Sequence, residues 1–236
     1  MIKIIYILSI LSFYKLTSQV PSAEILRQTY KIQTDTLSGS SFLIEYNSRE
    51  YLITAKHLFK KNLLNKSIVN INLLSEKENE KFKAKISISR DSSIDIAVLE
   101  LPVSIKKLKP FNINPTVTIG QQILFLGYPS FNGNNINTFS KAFGIFPLVK
   151  KGIVSALLDL NKYTLYFLDG HNNPGFSGGP VIGFDPIKNE TYILGVVSGY
   201  IFEKKPLIND TLNKFSNENS GIIICYPIHL IESILN

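Results

Sequence analysis

Pro174-Gly175-Phe176-Ser177-Gly178-Gly179-Pro180 is the stretch on which the reading of this chain turns. Glycine on both sides of a serine permits a tight turn with close backbone approach, and it brings the N–H groups of Gly175 and Ser177 within reach of one developing oxyanion. A plain glycine-rich hairpin competes for the same residues. Two other segments bear on the choice. Thr54-Ala55-Lys56-His57-Leu58 puts an imidazole directly after an apolar strand, and Asp95-Ile96-Ala97-Val98-Leu99-Glu100-Leu101 puts a carboxylate at the mouth of another. Taken singly, such a His is an ordinary structural or surface residue and such an Asp an ordinary turn cap. With Ser177 they supply the hydroxyl, imidazole and carboxylate of a nucleophilic relay.

Outward from these segments the chain reads as β structure. Of 236 residues, 44% are apolar and 18% charged, which excludes disorder, collagen and coiled coil. Fifteen Phe, 11 Tyr and abundant Ile and Val outweigh the strong helix formers. Short apolar or alternating runs follow one another from about Ser38: Ser41 to Tyr46, Tyr51 to Thr54, Ser67 to Leu74, Phe82 to Ile88, Ile94 to Leu101, Gln122 to Gly127, Gly152 to Leu158, Tyr163 to Leu168, Val181 to Phe184, Tyr192 to Val197 and Gly221 to Cys225. Strands this many and this short predict a closed or sandwiched all-β architecture. Ile228 to Leu235 alone has a helical pattern, giving a short C-terminal helix. Pro110 to Ile119 interrupts the strand pattern and is the expected boundary between two halves, 19–110 and 111–236. Phe131 to Thr138 and Tyr200 to Ser220 read as irregular stretches.

The formal charge of +7 comes from lysines scattered along the chain, with no sustained basic run and no interleaved aromatics, so nucleic acid is not an expected partner. Ile4 to Tyr14 is uncharged, lies between Lys3 and Lys15, and is too short to span a membrane. It fits the core of a secretory signal ending near Ser18, so residues 1–18 are expected to be removed and the protein to be secreted or periplasmic. An uncleaved N-terminal anchor, or a first buried element, is the alternative. Cys225 is the only cysteine, so no intramolecular disulfide exists, and in the run Ile222-Ile223-Ile224-Cys225 it reads as a buried thiol.

The three chemistry-bearing segments, with their flanks, resemble the trypsin-like serine peptidases of the chymotrypsin fold, most closely the bacterial Deg-type branch. Gly39-Ser40-Ser41-Phe42-Leu43-Ile44 followed by Tyr51-Leu52-Ile53-Thr54-Ala55-Lys56-His57 is similar to that family's strand, hairpin and histidine segment, Asp95-Ile96-Ala97-Val98-Leu99 to its aspartate segment, and the Ser177 stretch to its nucleophile motif. The resemblance runs from about Ser38 to the end. It implies two six-stranded antiparallel β-barrels, with His57 and Asp95 from the first and Ser177 from the second. By the same resemblance Ser177 is the nucleophile, His57 the general base and acid, Asp95 the group that orients His57, and the amides of Gly175 and Ser177 the oxyanion hole. Asp91 is a competing acid, less favoured because it lies among Ser and Arg in a loop.

Two departures from the family pattern matter. Phe176 stands where the digestive members carry an Asp that pairs with a newly cut N-terminus, so activity is expected without such a cut. The 59 residues after Ser177 are too few for the peptide-binding module that many Deg-type enzymes append, so such a module is not expected. The resemblance puts substrate against the backbone of Ser198-Gly199-Tyr200, with a pocket between that strand and His171 to Pro174 and Ile224 near its wall. His171 replaces the acid of trypsin-type enzymes and Val197 the histidine of glutamyl-specific ones, so small or medium apolar side chains are the expected preference. The expected partners are thus protein or peptide substrates, with no cofactor. No metal site is expected either, since His57, His171 and His229 lack HExxH or Cys/His spacing. A trypsin-like binding or scaffold module, non-catalytic or opened only by a partner, is the alternative function.

Overall fold

Residues 21–60, 63–74, 79–104, 116–131, 134–135, 146–185, 188, 190–206 and 215–236 are described by the computed structural model, in which two sets of six antiparallel strands each close into a barrel. The first comprises β1 (Thr29–Thr34), β2 (Ser38–Tyr46), β3 (Arg49–Thr54), β4 (Ile68–Leu74), β5 (Asn79–Ile88) and β6 (Ala97–Glu100), in the order β1-β2-β3-β6-β5-β4. After β7 (Gln122–Gly127) come two two-residue strands, β8 (Ser130–Phe131) and β9 (Asn134–Asn135), which pair only with each other. β10 (Leu148–Asp159), β11 (Thr164–Asp169), β12 (Pro180–Asp185), β13 (Glu190–Pro206) and β14 (Phe215–Pro227) complete the second barrel, in the order β10-β11-β14-β13-β12-β7. Short helices α1 (Ala23–Arg27) and α2 (Leu230–Leu235) flank the strands, and α2 is the C-terminal helix expected from the sequence.

The uninterrupted apolar runs arise because these strands are covered on both faces. Leu43, Leu52 and Leu99 are aligned across β2, β3 and β6, face into the first barrel and are fully buried. One residue along each strand, Phe42, Ile53 and Val98 form the next row and belong instead to a cluster shared with the second barrel and α2, including Leu126, Ile193, Val196 and Ile231. A third cluster around Phe125, Leu168, Val181 and Leu194 fills the second barrel. Period-two alternation therefore sorts side chains between two cores rather than between core and water.

The structure departs from the sequence reading in two elements. β1 lies upstream of the expected first strand: Tyr30 and Ile32 are buried while Gln33 is exposed, and β1 joins β2 to β4 and so closes the barrel. The stretch from Tyr200 to Ser220 is largely a ribbon, not an irregular loop. β13 and β14 pair from Phe202 opposite Asn219 to Pro206 opposite Phe215, braced by Lys205 to Glu218 at 2.7 Å. The expected 1–18 signal lies outside the described residues, as do residues 110–115 of the boundary region and most of Phe131 to Thr138. No helix among the described residues is long and apolar enough to cross a membrane.

Leu52 is fully buried whereas Phe202 is 58% exposed. Leu52→Ala is expected to cost about 2–5 kcal/mol in chemical denaturation, and Phe202→Ala less than about 0.5 kcal/mol despite removing the larger side chain.

Candidate active site

β3 ends at Thr54 and the chain turns through one 3-10 turn, Lys56–Leu58, that carries His57. Leu58 is buried and anchors the turn, and its carbonyl accepts the hydroxyls of Thr34 at 2.6 Å and Thr36 at 2.7 Å. Asp95 stands between buried Ile94 and Ile96 just before β6, so its place follows from the two apolar neighbours that flank it. Its Oδ2 lies 2.7 Å from His57 Nδ1, and its Oδ1 accepts the His57 backbone N–H at 2.8 Å. The carboxylate thus fixes both the ring and the peptide that bears it. Asp91 is occupied elsewhere. It accepts the amide and hydroxyl of Ser93 and an ion pair from Lys162 at 3.2 Å, and these bonds, the Ser93 hydroxyl first, pull its carboxyl down to about 2.

The second barrel supplies the remaining groups. Ser198 on β13 donates its hydroxyl to Asp95 Oδ2 at 2.5 Å, and its carbonyl accepts the Ser177 hydroxyl at 2.8 Å. Ser177, Ser198, Asp95 and His57 therefore form one hydrogen-bonded series, in which Ser177 Oγ points to Ser198 rather than to the imidazole. Tyr226 on β14 donates to the Ser93 carbonyl at 2.6 Å, fixing the loop that leads into Asp95 against the second barrel. Burial opposes the Asp95 charge. The hydrogen bond and charge of His57, the Ser198 hydroxyl and the His57 amide outweigh it, so the carboxyl is held below its ordinary 3.8.

Asn173-Pro174-Gly175-Phe176 has Pro and Gly where a type II turn favours them. Gly175 has φ +103°, and the Phe176 N–H reaches the Asn173 carbonyl at 3.2 Å, closing the turn. The N–H groups of Gly175 and Ser177 meet no acceptor among the described residues. Ser40 on β2 holds this loop to the first barrel: its amide donates to Ser177 O at 2.8 Å and its hydroxyl to Gly175 O at 2.7 Å, while the Tyr128 amide donates to that hydroxyl at 2.9 Å. The approach is so close that a Cβ on Gly178 would lie 2.1 Å from Ser40 O and 2.2 Å from Thr54 Oγ1.

The expected specificity residues fall nearby. His171 is exposed. Buried Asn172 reaches Gly199 O at 3.4 Å and receives the Asn219 amide on its own carbonyl at 2.6 Å, so the 171–173 segment is tied to β13 and β14. Tyr200 packs its ring against Phe202, 4.8 Å between centroids. Ile224 lies opposite Gly199 and packs on the cluster between the barrels, whereas its neighbours Ile223 and Cys225 face the interior of the second. Burial pushes the Cys225 thiol far above its ordinary range, as an inert core thiol requires. The structural parts of Ser40 and the Ser198 hydroxyl were not read from the sequence. Among the described residues no cluster of three or more His, Cys, Asp or Glu side chains is placed to hold a metal ion.

Residues 39–185 match the sequence model of the trypsin-like peptidase domain. No curated protein sequence matches the chain. Among solved structures, the active form of the Rv3671c protease from M. tuberculosis is 20% identical with a TM-score of 0.58, covering 90% of this chain and 81% of that one. The apo MamO protease domain from Magnetospirillum magneticum is 17% identical with a TM-score of 0.54, covering 91% and 98%. The HtrA-type protease AlgW with tripeptide is 20% identical with a TM-score of 0.57, covering 91% and 62%. At such identities the likeness to these three concerns the fold.

Two outcomes follow from this geometry. A carboxyl with a depressed folded pKa stabilises the fold above its unfolded value and loses that contribution as pH falls through the folded one. The stability advantage of wild type over Asp95→Asn, from denaturant midpoints, should therefore shrink as the pH drops below 3.8. Gly178→Ala, at φ +85° and against backbone, should lower stability by more than about 1 kcal/mol in the same assay.

Proposed function

The chain belongs to the trypsin-like peptidase domain family, and from that premise we propose an exported serine endopeptidase working through an acyl-enzyme, with Ser177, His57 and Asp95 as its triad. The observation that carries this reading is the Asp95 carboxylate, which meets the His57 ring at 2.7 Å and accepts the His57 amide at 2.8 Å. An ionised carboxylate can only accept, so the proton shared with Asp95 sits on His57 Nδ1, and in the neutral ring Nε2 then carries the lone pair. Rotation of the Ser177 side chain from Ser198 O to that nitrogen gives the attacking arrangement.

Nε2 then takes the hydroxyl proton as Oγ bonds to the scissile carbonyl carbon, and the C=O π pair moves onto oxygen. The unengaged amides of Gly175 and Ser177 are suited to receive that oxyanion. Collapse expels the amine, which leaves with the proton from Nε2, and water repeats the sequence on the acyl-enzyme. Substrate pairs as a strand with Ser198, Gly199 and Tyr200, and small or medium apolar residues enter beside His171 to Pro174. Phe176 is fully buried and edge-on to Phe125, 5.3 Å between centroids, so no cut N-terminus is required opposite it. Residues 1–18 direct export to the periplasm or the exterior.

One observation favours a second reading, a non-catalytic or partner-activated module: Ser177 Oγ donates to Ser198 O and not to His57. Fluorophosphonate labelling separates the two. The peptidase reading expects labelling and casein cleavage by the purified protein, both abolished in Ser177→Ala, with His57→Ala lowering kcat on the order of 10⁴-fold or more. A folded wild-type protein that never labels, with or without other proteins present, refutes it.

A further inference from the structure

The turn that carries the Gly175 amide is gripped by one half-buried ammonium group of the second barrel. Lys150, on β10, donates from Nζ to the His171 carbonyl and, at 2.9 Å, to the Asn173 side-chain oxygen, and it sits 5.4 Å from the centre of the Phe176 ring. These contacts bracket the turn: His171 and Asn173 lead into it, Asn173 accepts the hydrogen bond that closes it, and Phe176 ends it. No carboxylate among the described residues pairs with Lys150. Its charge is held by neutral oxygens and an aromatic face alone, and burial depresses its pKa.

We infer that Lys150 is a positioning residue, a half-buried cation that holds the Asn173 to Phe176 turn with its Gly175 amide presented for catalysis. The inference rests on the peptidase reading above and adds how that site is kept assembled. The alternative for this turn is a flipped peptide between Pro174 and Gly175, which exchanges the type II form for type I and withdraws the amide. Three attachments at both ends of a four-residue turn resist that flip. The ammonium also adds positive potential beside the place where negative charge develops. A neutral side chain of similar length fills the space without gripping the carbonyls, whereas arginine retains both charge and donors.

Lys150→Met, Lys150→Arg and the wild type are to be compared in peptide hydrolysis, in fluorophosphonate labelling rate and in deuterium uptake of the segment from Asn172 to Ser177. Lys150→Met is expected to lower kcat roughly ten- to hundredfold with KM changed less than about twofold, to slow labelling in parallel and to speed amide exchange in the segment. Lys150→Arg should recover most of each. Unchanged kcat and exchange in Lys150→Met, or an arginine variant as impaired as the methionine one, overturns the inference. If Lys150→Met does not fold, Lys150→Leu, which also lacks a donor, takes its place with the same expected losses, and wild-type behaviour in it overturns the inference. A wild-type protein that neither cleaves nor labels counts against the peptidase reading, and the exchange comparison still decides whether Lys150 orders the turn.

Discussion

Everything at the cleft depends on backbone meeting backbone across the seam between the barrels. Ser40 uses its amide and its hydroxyl to hold the carbonyls of Ser177 and Gly175, and the Thr54 hydroxyl donates to Ser40 O at 2.7 Å behind it. Such contacts form only where side chains are missing. Cβ atoms on Gly39, Gly127 and Gly178 would stand 2.7 Å from Ser177 O, 2.8 Å from Ser40 Oγ and 2.1 Å from Ser40 O. Glycine at these positions therefore serves the seam as well as the local backbone. Gly178 at φ +85° serves both, since the left-handed region and the bare α-carbon are each open chiefly to glycine.

The apolar cores supply the rigidity that these few polar contacts need. Because Phe42, Ile53 and Val98 face the second barrel while Leu43, Leu52 and Leu99 face into the first, shifting any of these strands by one residue would exchange the two rows. Register in the first barrel is thus coupled to the fit of the second. His57 follows β3 and Asp95 leads into β6, two of the three strands that carry both rows, so the cores set the positions from which the imidazole and carboxylate meet at 2.7 Å.

What was legible in the sequence was what apolar runs and glycines encode. Eleven of the barrel strands announce themselves as β-branched or aromatic runs between turn residues. β1 does not, because Thr29-Tyr30-Lys31-Ile32-Gln33-Thr34 reveals its inner face through Tyr30 and Ile32 only. The ribbon past Tyr200 was missed for a related reason: Glu203, Lys204 and Lys205 are exposed, and with no core to face they leave no periodic signature. At the cleft, His57, Asp95 and Ser177 were recognisable from their flanks. Ser40, Asn172 and the Ser198 hydroxyl act through contacts between residues distant in sequence, Ser40 Oγ to Gly175 O spanning 135 positions, and no local pattern encodes such a pair.

Cys225 lies in the interior of the second barrel, so close to β13 that a Cβ on Gly195 would come within 2.5 Å of its sulfur. The sulfur is sealed from oxidants and has no second cysteine to join. The fold accordingly contains no bond that a reductant can cleave, and its midpoint of unfolding should be the same in dithiothreitol as in air. Passage between reducing and oxidising surroundings therefore forms and breaks no disulfide within the chain.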